Sequence, residues 1–324
     1  MSSRDQARAT ASVLSPSRRQ LEMMAIELRR RVRGRLRSGE MLSRHTTFRI
    51  GGPADFFVEP VDTDDLCEVV RFARAEGLRI KVIGNGSNLL VGDGGIGGIV
   101  IRLAPNFSQI EWLEDGVVAG AGVRLGKLVA EATAAGLSGL ESTVGIPGTL
   151  GGALATNAGT DTGAIGDLVV GATVLDEDGE LREWGASQFA YRYRYSSLNS
   201  SRATVVSAHL RLRPAPKEDI RAKVERLRAK RAGRQPLRAW SAGSVFKNPR
   251  GVAAGKVLDR SGAKGMRLGD AQVSRKHANF LLNRGRATAA EMRGLIAKAH
   301  ALALRRYDID LELEIEIVGE SDER

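Results

Sequence analysis

Two glycine-rich stretches contain residue types that could bind an anionic ligand. Residues 84–88, GNGSN, follow an apolar run at 80–83, and residues 145–159, GIPGTLGGALATNAG, contain five glycines and no charge. Because glycine has no Cβ, phosphate oxygens can approach the backbone, where successive N–H groups form a cradle. Each stretch alone could equally be a tight turn in a β-rich domain. Together they suggest one extended anionic ligand held from two sides.

Two other stretches combine charge with strict alternation. Residues 309–318, IDLELEIEIV, predict a strand with four carboxylates on one face. Like charges on one face repel, so this face must be hydrated or matched by cations. Residues 189–198, FAYRYRYSSL, would, if extended, carry two arginines on one face and three tyrosines on the other. That pattern is also compatible with an exposed amphipathic strand or an aromatic and basic RNA surface.

Metal and nucleotide motifs of other kinds are absent. The single cysteine, Cys67, excludes an internal disulfide and is expected to pack in a helix, and the four histidines have no metal-binding spacing, so we predict no metal site. Glycines at 92, 94 and 97 match a dinucleotide fingerprint, but they lead into a predicted strand rather than a helix. Residues 251–256 are one residue short of a Walker loop and lack its Ser or Thr.

The length and composition favour a soluble protein with two or three compact units. The 324 residues exceed one typical domain, and no apolar run reaches the ~18 residues needed to cross a bilayer. The net charge of +11 is concentrated in residues 1–40 and 217–240, each with +6. Solvated helix faces explain these runs more simply than nucleic acid, although an anionic substrate could use part of the charge. We therefore expect a cytoplasmic protein without membrane or nucleic-acid partners.

Several elements that position these stretches can be predicted from periodicity and turn residues. Helices are expected at 21–36, 64–76 (ending before Gly77), 125–136 and around Ile220, Val224 and Leu227, and a capping box of Thr288 and Glu291 starts another. Residues 43–55 predict a strand followed by a turn, and residues 112–121 a hairpin. Further strands are expected at 79–83, 99–103, 168–175, 180–184 and 204–212.

Seven ordered motifs from about residue 40 onward resemble those of the UDP-N-acetylenolpyruvoylglucosamine reductase family, flavoenzymes of peptidoglycan precursor synthesis. The motifs are SRHTTFRIGGPAD, GNGSNLLVGDGG, GLESTVGIPGTLGGALATNAG, YRYSSL, AGSVFKNP, VSRKHANFLLN and LELEIEIVGE. The resemblance, to the shorter-loop variety of the enzyme, implies an α+β fold: an FAD-binding fold of the vanillyl-alcohol-oxidase type followed by a smaller α/β substrate-binding domain. We expect a basic extension at 1–40, an FAD-binding domain at 41–216 with subdomains at about 41–110 and 111–216, and a substrate-binding domain at 217–324.

The resemblance assigns FAD to the two glycine-rich stretches and NADPH as the co-substrate. The implied FAD-binding residues are Gly84, Asn85, Gly86, Ser87, Asn88, Gly145, Ile146, Pro147, Gly148, Gly152 and Ala153. Neither stretch contains His or Cys, so the flavin is expected to be non-covalent. The family reduces the enolpyruvyl ether of UDP-N-acetylglucosamine enolpyruvate, and an FAD-dependent oxidase or dehydrogenase acting on another substrate is the alternative.

The chemistry implied by the family needs a proton donor, a cation near the substrate carboxylate and a group that orients it. Ser244 in AGSVFKNP matches the proton donor, and Glu314 matches the catalytic glutamate, with Glu312 and Glu316 on the same predicted face. Arg194 is preferred over Arg192 as the cation because only Arg194 has a serine two residues later. The substrate-binding positions implied by the family are Tyr193, Arg231, Lys247, Asn248 and His277. A monomer is expected.

Overall fold

The computed structural model describes residues 16–103 and 106–320. The helices in these ranges are α1 (Arg18–Arg31), α2 (Thr63–Ala75), α3 (Leu125–Ala135), α4 (Leu150–Thr156), α5 (Leu198–Ser201), α6 (Lys217–Arg234), α7 (Ala254–Arg260) and α8 (Ala289–Tyr307). The strands are β1 (Arg35–Met41), β2 (Pro53–Glu59), β3 (Ile80–Ile83), β4 (Leu89–Val91), β5 (Ile96–Arg102), β6 (Ile110–Leu113), β7 (Gly116–Gly120), β8 (Leu137–Ser138), β9 (Gly159–Thr160), β10 (Gly163–Ala164), β11 (Val169–Leu175), β12 (Leu181–Gly185), β13 (Thr204–Arg211), β14 (Arg213–Pro214), β15 (Arg267–Leu268), β16 (Ala271–Val273), β17 (Leu281–Asn283) and β18 (Glu316–Val318).

A four-stranded sheet of order β1-β2-β5-β3 leads into the first glycine-rich stretch. β2 and β3 run parallel to β5, and β1 runs antiparallel to β2. The sequence of β5, IGGIVIR, is an almost continuous apolar run, which is typical of a central strand covered on both faces. Since β3 ends at Ile83, the chain passes from the end of this strand directly into the loop that begins at Gly84.

A five-stranded antiparallel sheet of order β12-β11-β13-β7-β6 carries the second glycine-rich stretch. The stretch lies between α3 and β11 and contains the short helix α4. The backbone N–H groups of Leu150 and Gly151 donate to the carbonyl oxygens of Val123 and Ala121, just beyond β7. These bonds fix the start of α4 against the sheet.

The described residues form three hydrophobic cores. The largest is shared by the two sheets with α2, α3 and α6, and the second is built around α7, α8 and β16. A small third core includes Ile83, Leu89 and Val91, which flank the first glycine-rich stretch in the sequence. β18 pairs in parallel with β4, placing Glu316 beside Leu89 and Val318 beside Val91. The C-terminal part of the chain therefore returns to the first glycine-rich stretch.

Most predicted elements are confirmed. The hairpin at 112–121 is formed by β6 and β7, and α3 ends at Gly136, whose φ of 75° lies in the left-handed region that glycine favours. α6 buries Ile220, Val224 and Leu227, and the Thr288–Glu291 capping box begins α8. Cys67 is buried in α2, as expected for a packing residue.

Two predictions in the N-terminal part were wrong. The helix predicted at 21–36 spans Arg18–Arg31, and the residues after it form β1 because they pair with β2. The strand predicted within 43–55 is a 3₁₀ turn and a loop up to residue 52. Its alternation has another cause, since Phe48 and Ile50 insert into the core around α8 while the chain turns. Residues 1–15 of the basic extension predicted at 1–40 lie outside the described residues.

Three predictions about the site segments also need correction. Within 309–318 only Glu316–Val318 forms a strand, because only these residues reach the open edge of β4. Residues 192–195 form a tight turn rather than an extended strand, with reciprocal backbone hydrogen bonds of 3.1 Å between Arg192 and Tyr195. The second glycine-rich stretch is not wholly a loop, since Leu150–Thr156 is helical.

Candidate active site

One cleft is lined by both glycine-rich stretches and by the C-terminal part of the chain. Its volume is about 1930 Å³, whereas the pocket of one drug-sized ligand usually measures about 300–1,000 Å³. The cleft therefore has room for more than one ligand. Its lining includes every predicted site residue except Tyr193, which lies against the Arg194 guanidinium.

The first glycine-rich loop is shaped by contacts that leave no space for a side chain. A Cβ on Gly84 would lie 2.3 Å from Thr149 Oγ1, and one on Gly86 would lie 2.1 Å from the His45 carbonyl oxygen. Gly86 also has a φ of 59°, which favours glycine. The backbone N–H groups of residues 85–87 donate no hydrogen bond within the part of the chain that the structure describes. These adjacent donors can therefore receive an anion.

The second stretch contacts the first and leaves fewer backbone N–H groups free to bind a ligand. Asn85 Nδ2 donates to the Pro147 carbonyl oxygen at 3.1 Å, which joins the two stretches. Many backbone N–H groups of the second stretch already donate to carbonyl oxygens of the protein. These are the N–H groups of Ile146, Gly148, Leu150, Gly151 and Ala153. Gly152 is exposed, while Ala153 lies almost buried behind it. This side can support a flat ligand but offers few donors to phosphate.

These two surfaces fit FAD. The unpaired N–H groups of residues 85–87 suit a pyrophosphate, because they can bind its oxygens without a buried lysine. The uncharged second stretch suits the apolar face of an aromatic ring system. The lining of the C-terminal part of the chain remains available for a second ligand.

Arg194 and Glu314 form a partly buried ion pair in the cleft. Arg194 Nε lies 2.6 Å from Glu314 Oε1, and the two side chains are 22% and 17% exposed. At this distance the two opposite charges attract each other directly. Arg194 Nη1 donates to the Gly159 carbonyl oxygen at 3.0 Å. The guanidinium is thereby held between a carboxylate and the end of the second glycine-rich stretch.

Burial raises the pKa of Glu314, while Arg194 and Lys247 lower it. Loss of solvent is therefore the main cause of the raised pKa. Each of the alternating acids has its own basic partner: His300 at 2.7 Å for Asp310, Lys247 at 3.1 Å for Glu312, Arg194 at 2.6 Å for Glu314 and Lys81 at 2.5 Å for Glu316. Asp310, Glu312 and Glu316 are also largely exposed, so these acids are both hydrated and paired with basic residues.

Ser244 lines the same cleft on a well-supported segment. It pairs with Phe280 in an isolated β-bridge, and it follows Gly243, whose φ is 79°. Just beyond it, the Asn279 carboxamide accepts from the Phe246 N–H at 2.9 Å and donates to the Phe246 carbonyl at 2.8 Å. The Ser244 hydroxyl makes no hydrogen bond to another described residue, so it can donate to a ligand.

Arg231 and Gln235 each contribute a buried polar atom that has no partner among the described residues. Arg231 Nη1 donates to the Val144 carbonyl oxygen at 3.2 Å, but its Nε is unpaired within the described residues, as is Gln235 Oε1. Burial, with a smaller effect of Arg194, lowers the pKa of Arg231. Buried unpaired polar atoms that line a cleft are expected where a ligand completes them. Gln235 is not among the site residues predicted above, and the Gln-Pro pair that follows Arg234 is the one sequence signal that pointed to it.

The other predicted substrate residues lie on the C-terminal side of the cleft. The Asn248 N–H donates to Tyr193 Oη at 3.2 Å, so Tyr193 supports the cleft from behind. Asn248 Oδ1 accepts from the N–H of Ala254, the first residue of α7. His277 packs against Gly255 and accepts at Nδ1 from the Asn279 N–H at 3.2 Å, and burial lowers its pKa. His277 is therefore a neutral, hydrogen-bonded histidine.

Part of the basic run at 217–240 faces the cleft. The lining residues from α6 include Lys230, Arg231 and Arg234. This placement agrees with the expectation that an anionic ligand uses some of the charge.

In the described residues there is no helix long and apolar enough to cross a membrane. The same residues contain no cluster of three or more His, Cys, Asp or Glu positioned to hold a metal.

Two family models match separate parts of the chain. A model described as "FAD binding domain" matches residues 54–185, which include both glycine-rich stretches. A model described as "UDP-N-acetylenolpyruvoylglucosamine reductase, C-terminal domain" matches residues 235–318, which include Ser244 and Glu314. The boundary between the two matches falls near α6.

Full-length relatives carry the same name. The chain is 45% identical over 300 residues to UDP-N-acetylenolpyruvoylglucosamine reductase of Moorella thermoacetica, covering 93% of this chain and 99% of the relative. It is 41% identical over 295 residues to that of Carboxydothermus hydrogenoformans, covering 91% and 97%. The crystal structure of the reductase from Thermus caldophilus superposes with a TM-score of 0.77 at 37% identity, covering 88% of this chain and 99% of the other. The predicted α+β FAD-binding fold is thereby confirmed.

Proposed function

The chain belongs to the UDP-N-acetylenolpyruvoylglucosamine reductase family, and we propose that the cleft described above carries both halves of an NADPH-dependent reduction. It is an FAD-dependent reductase that converts UDP-N-acetylglucosamine enolpyruvate to UDP-N-acetylmuramate. The observation that carries the proposal is the meeting of the FAD-binding surfaces with Ser244, Arg194 and Glu314 around one space. When bound, FAD supplies a hydride acceptor for NADPH and a hydride donor for the enolpyruvyl group.

The residues of the first glycine-rich loop would hold the pyrophosphate. The unpaired N–H groups at 85–87 would donate to its oxygens. Asn85, through its bond to Pro147, would keep the two surfaces at a fixed separation. A rigid cradle of this kind binds without rearranging, which favours tight non-covalent binding.

The ion pair and Ser244 would act on the substrate. Hydride addition to the terminal vinyl carbon leaves an enolate whose charge spreads over the adjoining carboxylate. Arg194 would bind that carboxylate, and Glu314 would hold the guanidinium in place for it. Ser244 would then donate its hydroxyl proton to the α-carbon, giving the saturated lactyl ether, and recover a proton from solvent.

Cationic side chains would bind the diphosphate and carboxylate of the substrate. Arg231 has an unpaired buried Nε, and Lys247 offers a positive charge near Asn248. His277 and Asn248 would contribute hydrogen bonds rather than charge. Because one chain supplies every one of these groups, we propose that a monomer acts, and that it acts in the cytoplasm with domains at 41–216 and 217–324.

Sequential anaerobic half-reactions test the function. NADPH should bleach the oxidised-flavin absorbance of the holoenzyme, and UDP-N-acetylglucosamine enolpyruvate should then restore it with formation of UDP-N-acetylmuramate, detected by its mass. UDP-N-acetylglucosamine, which lacks the enolpyruvyl group, is the matched control and should restore nothing. If only dioxygen restored the absorbance, the protein would be an oxidase of the same fold.

A further inference from the structure

The turn that carries Arg194 has an unusual backbone. Arg194 has a φ of 54°, a left-handed conformation that residues with a Cβ rarely adopt. The turn itself is closed only by the two backbone bonds between Arg192 and Tyr195. A strained conformation persists only when its surroundings hold it. Some neighbouring group must therefore fix this turn.

Asn157, at the end of α4, contacts the turn directly. Its Nδ2 donates to the Arg192 carbonyl oxygen at 2.9 Å, and its Oδ1 accepts from the Gly166 N–H at 3.0 Å. The side chain is 9% exposed and does not line the cleft. Both the oxygen and the nitrogen of the carboxamide are therefore hydrogen-bonded, and the nitrogen binds the turn that contains Arg194.

The opposite side of the ion pair is held independently of Asn157. The Glu314 N–H donates to the Val245 carbonyl oxygen at 2.8 Å, and the Glu314 carbonyl accepts from Asn88 Nδ2 at 3.1 Å. Glu314 therefore has a fixed backbone. The relative position of the two charges therefore depends on the turn. Asn157 binds the backbone of this turn, and the Asn248 N–H binds only the Tyr193 side chain.

We propose that Asn157 is a positioning residue for the second half-reaction, holding the Arg192–Tyr195 turn so that Arg194 meets Glu314 and the substrate carboxylate. This inference rests on the proposed function of the cleft. It gives the second glycine-rich stretch a role beyond the cofactor, because Gly159, two residues after Asn157, also accepts from Arg194 Nη1. The end of α4 thus fixes both the backbone and the guanidinium of the arginine.

The Asn157→Gly variant tests the proposal, since glycine accepts the left-handed φ of 46° at this position but removes the carboxamide. In the FAD-loaded variant, flavin reduction by NADPH should stay within twofold of wild type. Reoxidation by UDP-N-acetylglucosamine enolpyruvate should slow by about 10- to 100-fold, the usual effect of losing a group that orients a site residue. Its pH profile should also shift to higher pH, because Arg194 no longer lowers the Glu314 pKa as strongly.

Two further variants separate positioning from folding. Asn157→Asp keeps the acceptor for Gly166 but loses the donor to Arg192, so it should share the reoxidation defect. Asn106→Ala removes a comparable Asn-to-carbonyl bond, to Pro60 at 2.8 Å, away from the cleft, and should leave both half-reactions unchanged. Equal loss of both half-reactions in Asn157→Gly, or wild-type reoxidation with an unshifted pH profile, would overturn the proposal. Failure of the wild-type protein to be reoxidised would instead refute the proposed function.

Discussion

Replacing Arg194 with lysine tests whether a fork of donors, rather than a positive charge alone, is needed in the cleft. The guanidinium contacts Glu314 at 2.6 Å and the Gly159 carbonyl at 3.0 Å, while a single ammonium at the end of a flexible chain cannot keep both contacts and also bind a carboxylate. Loss of one hydrogen bond to a charged group costs about 1.5–3 kcal/mol. With each 1.36 kcal/mol equal to a factor of ten, Arg194→Lys should slow reoxidation by about 10- to 150-fold.

The assay is anaerobic stopped-flow absorbance of the flavin, with reduction by NADPH and reoxidation by the enolpyruvyl substrate measured separately. Arg192→Lys is the matched control, because Arg192 is exposed, lies against the Tyr195 ring and does not line the cleft. The control should change neither rate by more than twofold. If Arg192→Lys slowed reoxidation while Arg194→Lys did not, the assignment of the arginine would be wrong.

Three other changes probe the remaining groups. Ser244→Ala should slow reoxidation by about 100-fold or more while stopped-flow shows normal reduction by NADPH, and equal loss of both steps would exclude a proton donor. Glu314→Gln should remove the acid limb of the reoxidation pH profile: the wild-type rate should fall as pH drops through a pKa raised above 4.5, because protonation releases Arg194. If reoxidation of Glu314→Gln still slowed at low pH, a group other than Glu314 would cause the decrease. Gly86→Ala should weaken FAD binding by tens of fold in a fluorescence titration, since its Cβ would lie 2.1 Å from a backbone oxygen at a φ of 59°. Gly126→Ala, with open space around its Cβ, is the control, and an equal effect there would remove the packing argument.

Elements with strong local signals could be predicted from the sequence. α8 has a capping box and a helical stripe, and the β6–β7 hairpin has a turn sequence between two apolar runs. The loop after β3 followed from an apolar strand that runs into glycines. In each case the local preference and the final packing agree, so short-range information is enough.

The site segments were predicted less well because distant contacts determine them. Alternation at residues 309–318 favours a strand, yet only the last three residues find a strand partner. Alternation at residues 191–195 favours an extended chain, but Asn157 binds the Arg192 carbonyl and supports a turn. The pattern could not show that Phe48 and Ile50 enter a core built more than 200 residues later in the chain. The resemblance named the residues of the site, while their geometry depends on tertiary structure.

A crystal structure of the protein with FAD bound would locate the cofactor relative to the catalytic residues. The pyrophosphate oxygens should accept hydrogen bonds from the N–H groups of residues 85–87. The reactive edge of the flavin should face the space between Ser244 and the Arg194–Glu314 pair. A flavin bound outside this cleft, or one whose reactive edge points away from Ser244, would contradict this arrangement.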